Sequence, residues 1–296
     1  MGMLSFPLDA GGDESTFALT VAGFGAGEKE WGDFTRLWTE RLGKEDIAFF
    51  RAVDAAQWRG QFERFREVPN KDIWRKSLFS DLMEILKRHV YRKFGCTVVN
   101  RNLSKMDERL REQFLLTAFT LAGRTTEKQI REWIKSDWTP TTPVVIVMES
   151  GDHGKGKLQE RLEKDGCFPF AFQPKKDTTN KRGVMEYGFV PLQAADWLAY
   201  ELSLSVRQFE EGTVQEIAGM RWPMQQFHRI LGEPGTYEVE DLREMERKLR
   251  SVREIDLWER RAGLDKLRDQ RRKESAMVRG GVTPEPYEAK KDETSQ

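Results

Sequence analysis

The sequence predicts an α/β domain built on a mixed β-sheet flanked by helices. Three observations carry that expectation: two short β-rich segments open the chain on either side of a turn, a continuous apolar run spans 143–150, and amphipathic stretches at helical spacing lie between and after them. The opening pair reads as an antiparallel hairpin. The strands that alternate with helices after it then make the sheet mixed.

Residues 4–9 and 16–24 (TFALTVAGF) are the hairpin strands, with GGDES as the turn. From Glu28 to Leu42 the residues Trp31, Phe34, Leu37, Trp38 and Leu42 recur at helical intervals, and Gly43 supplies a stop. Residues 46–68 are irregular but aromatic. Asp72–Phe94 is predicted as one helix buried along Ile73, Leu78, Leu82, Ile85, Leu86 and Val90, and CTVV after Gly95 as a third strand. Two helices follow, over 106–121 and 127–134. PVVIVMES is a strand covered on both faces, hence central. GDHGKGK then turns into the helical LQERLEK, and CFPFAF (167–172) is the next strand. A lysine-rich loop (175–182) leads to VPLQAADWLAYELSLSVRQF, whose small residues predict a helix packed closely on the sheet.

This gives a principal domain over 1–212 with a helical insertion at about 45–140. A charge-dense helical extension over 213–276 either folds back or pairs with a second copy or another protein, and 277–296 has the composition of a disordered tail.

A 38% hydrophobic, 33% charged composition excludes wholesale disorder, and no apolar run is long enough to cross a bilayer. The start of the chain has no secretory signal, so a cytoplasmic location is expected, with no membrane partner. Cys96 and Cys167 suit small buried hydrophobes in a reducing compartment. Lys plus Arg equals Asp plus Glu at 49 each, so nucleic acid could be held through a local basic patch but not by a global field.

Three acids stand where burial ordinarily favours an apolar residue. Asp9 ends the first strand, Glu149 ends the central strand, and Asp196 lies within the apolar helix segment QAADWLAYE. A lone buried carboxylate is expensive, three together repel, and a divalent cation resolves the conflict. Oxygen ligands without His or Cys suit Mg²⁺ or Mn²⁺. Two such ions roughly 3.5–4 Å apart can drive phosphodiester hydrolysis. The competing reading makes the acids caps or ion-pair partners, with Asp196 matched to an arginine such as Arg207. GDHGKGK lacks a Walker ending, so Lys155 within it, and Lys175 in the later loop, are at most phosphate contacts. His153 beside the acids is a candidate for proton transfer.

LDAGGDES with TFALTVAGF and EKEWGDFTRLWTERL, then VVIVMESGDHGKGKL, then FVPLQAADWLAYE, resembles the DUF thirty-eight-hundred family of ribonuclease-H-like domains of unknown function. The resemblance spans roughly 4–210. It implies a metal-binding aspartate on the first strand, an acid on a later central strand and another on a C-terminal helix, which match Asp9, Glu149 and Asp196. Asp13, in the same acidic opening, is a second candidate, and Asp152 a weaker one. The family often has a histidine where Arg51 stands here, which puts activity in question. The expectation is a metal-dependent, nuclease-like hydrolase; the alternative is a non-catalytic interaction module on the same fold.

Overall fold

The computed structural model describes residues 2–12, 15–139, 141–150, 158–160, 162, 168–179 and 183–252. The compact unit that holds the sheet is Met1–Glu244. Residues 239–252 are helical, those from Met245 onward falling in a second unit.

The first strand, β1 (Leu4–Gly11), pairs antiparallel with β2 (Ala18–Gly27), and β2 pairs antiparallel with β3 (Arg92–Val99). On the other side of β1 runs β4 (Val144–Glu149), parallel to it, followed by parallel β5 (Phe170–Gln173). A separate two-stranded ribbon joins β6 (Thr178–Thr179) to β7 (Met185–Glu186). Finally β8 (Gly235–Tyr237) lies parallel to β3, giving the order β5-β4-β1-β2-β3-β8. The sheet is therefore mixed and flanked by helices, as the pattern of the sequence predicts.

The helices are α1 (Glu28–Gly43), α2 (Ala52–Gln57), α3 (Lys71–His89), α4 (Asn100–Leu103), α5 (Glu108–Gln113), α6 (Ala118–Asp137), α7 (Pro191–Glu210) and α8 (Trp222–Phe227). One face of the sheet packs on α6, where Trp133 meets Phe6 and Phe94 edge-on or tilted, with ring centroids 6.1 and 5.6 Å away. The other face carries α1 and α7, and its core runs from Phe24 through Trp38, Phe50 and Trp197 to Phe227. No described helix is long and apolar enough to cross a membrane.

Several boundaries differ from the sequence-based expectation. The predicted 72–94 helix ends at His89, and Phe94 turns into β3, where it packs on Phe6. Ile73, expected in the buried stripe, is 70% exposed. The stretch over 45–140 is not wholly helical, because β3 lies inside it and belongs to the main sheet. The helices predicted at 106–121 and 127–134 resolve into short α5 and a single α6, whose start is closed by a Thr117–Thr120 capping box. The boundary expected at 212 falls later, since α8 packs on α7 and β8 extends the sheet.

Candidate functional site

Asp9, Glu149 and Asp196 come together. Parallel pairing of Leu8 with Met148 sets Asp9 and Glu149 at the same ends of neighbouring strands. Asp196 is brought to them by α7, which lies against the end of β1 so closely that a Cβ on Gly11 would stand 2.5 Å from the carbonyl oxygen of Ala199. Only glycine permits that approach. The next residue, Gly12, has φ +85, a conformation that glycine adopts without strain. The two glycines after Asp9 thus have separate tasks: one admits the helix, the other turns the chain.

Helix α7 has its own logic. Pro191 opens it at a position where no backbone N–H is needed, and Ala194, Ala195 and Ala199 bury small side chains against the sheet. Asp196 sits one turn in, where its Oδ2 accepts a 2.7 Å hydrogen bond from the backbone N–H of Ala52 at the start of α2. That amide is one of those a helix leaves without an internal partner.

At the focus of the three acids stands the ammonium of Lys175. Its Nζ lies 2.9 Å from Asp9 Oδ2, 2.9 Å from Glu149 Oε2 and 2.9 Å from Asp196 Oδ1. The side chains are 10% exposed for Lys175 and 1%, 23% and 14% for the three acids in that order, so water replaces few of these contacts. Asp9 Oδ1 also accepts from the N–H of Ala10 at 2.8 Å. Burial by itself would lower the Lys175 pKa, but the charges of Asp9, Asp196 and Glu149 outweigh it and hold the ammonium well above the ordinary lysine range. The ammonium donates hydrogen bonds to Asp9 and Asp196, and Glu149 meets the same charge as an ion pair. The Lys175 charge thus faces the three acids, whereas its place in a polar loop suggests an outward-facing phosphate contact.

The position of Lys175 follows from the strands. Gln173, at the end of β5, is the register partner of Glu149, so the chain two residues later passes over the ends of β4 and β1. There Gln193 Nε2 donates to the Lys175 carbonyl at 3.0 Å, and the Phe189 N–H donates to the Pro174 carbonyl at 2.7 Å. Sequence reasoning makes Lys175, in a polar loop, at most a phosphate contact. The one available signal is its position just past a predicted strand that neighbours the central one.

The Asp196–Arg207 pairing does not form: Arg207 Nε donates to Glu211 at 2.8 Å. Asp196 instead borders a cleft of about 450 Å³, lined also by Gly12, Thr16, Arg51, Tyr200 and Arg207. Asp13, Lys155, Asp152, His153 and Cys167 lie outside the described residues.

The donor set suits a hard divalent cation, being all carboxylate oxygen and focused on a point where a positive charge already stands. The spacing, however, is that of an ammonium. An N–O contact of 2.9 Å holds the oxygens farther apart than the roughly 2.0–2.1 Å bonds of Mg²⁺ would. Among the described residues no group of three or more His, Cys, Asp or Glu is arranged to hold a metal ion.

No family model matches the chain, and no curated protein matches it. A solved structure to which it is similar is described as "Structure of the PCNA:RNase HII complex from Archaeoglobus fulgidus", with 16% identity, a TM-score of 0.30, and 71% of this chain and 79% of that chain covered. Membership of the DUF thirty-eight-hundred family thus has no matching family model behind it. Asp9 lies on β1, Glu149 ends β4 and Asp196 lies on α7.

Proposed function

We propose that the chain is a metal-dependent phosphodiester hydrolase of the ribonuclease-H-like kind, in which Asp9, Glu149 and Asp196 hold Mg²⁺ or Mn²⁺. The observation that carries this reading is the convergence of three carboxylates, from positions far apart in the chain, on a single cation. Natural cores avoid such clusters, because each charge removed from water costs several kcal/mol unless it is matched. When bound, a divalent ion supplies a water made nucleophilic near neutral pH and a positive charge for the leaving oxygen.

The chain's own residues do the rest. Asp9, the most buried of the acids, is suited to be shared between two ions, with Glu149 and Asp196 each holding one. Arg51 and Arg207 border the cleft beside Asp196 and form the local basic patch by which a nucleic acid backbone would be received. The test is cleavage of labelled single-stranded DNA, RNA and hybrid oligonucleotides with Mn²⁺ and with EDTA. Mn²⁺-dependent cleavage is expected, and Asp9→Asn and Asp196→Asn proteins that remain folded should lose it. Full activity in both variants overturns the reading.

A second reading is favoured by Lys175 itself, which already balances the acids and lets the cluster act as an internal tie between β1, β4 and α7. The chain would then be a non-catalytic module that binds a protein or a second copy through its C-terminal helical region, of which residues 239–252 are described. Ligand binding to the native state raises the melting temperature. No shift at millimolar Mn²⁺, with no cleavage, selects this reading.

A further inference from the structure

We infer that Lys175 is a tethered competitor for the cation: the site is closed at rest by its own ammonium, and a divalent ion enters by displacing Nζ from all three carboxylates. This rests on the metal-site reading above.

Geometry forces the competition. The oxygens that face Nζ, namely Asp9 Oδ2, Glu149 Oε2 and Asp196 Oδ1, are those that point at the common focus. Oxygens held by the ammonium are not free to close around a second cation, and two positive centres within one small buried cluster repel. The site nonetheless continues to attract a divalent ion, because among the described residues one ammonium faces three carboxylates, an excess of negative charge.

The tether is built to release the head and keep the stem. The backbone at Lys175 is pinned by Gln193 Nε2 and by the neighbouring Pro174–Phe189 hydrogen bond. A Cβ on Gly188 would come within 2.4 Å of the Cα of Lys176, so the two segments are in close contact. Lys176, next along, lies over the ring of Phe49 at 4.3 Å. These contacts hold the backbone, while the four-carbon side chain of Lys175 has the rotatable bonds to swing its charge away. Asp196, one of its partners, borders the open cleft. An ammonium expelled by the metal has water within reach.

The experiment measures Mn²⁺ binding directly, by the loss of the free-ion electron paramagnetic resonance signal on titration with the full chain and with Lys175→Met. At least tenfold tighter binding by K175M is expected, including the case in which the unaltered chain binds too weakly to detect. Equal or weaker binding by K175M, when the unaltered chain does bind, overturns the inference and leaves the metal site standing. Binding by neither protein overturns both.

A measurement on the unaltered chain covers the event that K175M does not fold. Amine acetylation by an N-hydroxysuccinimide ester, read by mass spectrometry, should modify Lys175 far more slowly than the exposed Lys176 in EDTA, and at least fivefold faster once Mn²⁺ is present. Labelling of Lys175 that is unchanged at saturating Mn²⁺ contradicts displacement.

Discussion

Gln193 on α7 holds the carbonyl of Lys175 through its Nε2 at 3.0 Å, while its Oε1 accepts from Trp38 Nε1 at 3.0 Å and from the Phe50 N–H at 2.8 Å. A single buried amide thus fixes the stem of the lysine and ties α1 and the segment after it to the same helix that carries Asp196. Replacing it by leucine strands the two donors in an apolar core. Each buried polar group left unmatched costs about 1–3 kcal/mol. Gln193→Leu should therefore lower the unfolding free energy by about 3 kcal/mol in urea titration, and a loss under about 1 kcal/mol would show the amide to be dispensable.

Gly11 is the second point of leverage. An alanine there places its Cβ 2.5 Å from the Ala199 carbonyl oxygen, and backbone cannot move aside as a side-chain tip can. Overpacking of this kind typically costs 1–3 kcal/mol. Gly11→Ala should melt at lower temperature and, by prising α7 from β1, raise the acetylation rate of Lys175. Retention of both properties at the level of the unaltered chain would contradict the close-approach account.

Arg51 lines the cleft and has no side-chain partner among the described residues. Its removal should leave stability within about 0.5 kcal/mol. Arg51→Ala is expected to weaken binding of a single-stranded oligonucleotide in EDTA, and to reduce the slope of log affinity against log salt by about 1. An unaltered slope would take Arg51 out of the binding face.

Glu201 lies on α7, buried, with Arg221 Nη1 3.3 Å from its Oε1 and with Oε2 unmatched. Burial pushes its carboxyl up to about 7, more than the Arg221 charge pulls it down. With the folded value above the unfolded one, the stability contributed by the protonated form is complete below pH 4.5 and is lost as pH rises through 7. The loss amounts to about 3 kcal/mol. Glu201→Gln should flatten stability between pH 5 and 8; a variant with the same pH profile as the unaltered chain would show that another group sets it.

How much of this was written in the chain depends on the range of the physics involved. The hairpin and β4 announce themselves because alternation and continuous apolarity are local signals, and α7 does so through its run of buried alanines. Phe94 misled because an aromatic residue at the end of a helical pattern is equally at home in a strand, and its contact with Phe6 decides the matter. Three-residue β8 carries too few side chains to form a pattern, and its pairing with β3 exists only once the sheet is assembled. The acids were conspicuous as charges in apolar surroundings. Lys175 was not, since a lysine in a polar loop looks the same whether it faces water or three carboxylates.

The scatter of the cluster along the chain has a consequence for synthesis. Asp9 and Glu149 become neighbours when β4 docks beside β1, yet the counter-charge at Lys175 lies 26 residues further on. At translation rates of about 5–20 residues per second the ribosome takes roughly 1–5 s to cover that interval. Through those seconds the nascent sheet carries two facing acids before the lysine that joins them is made, and α7, which brings the last acid, follows only afterwards. The acids of β1 and β4 are thus made before the lysine that joins them, and the third acid and the edge strand β8 are made after it.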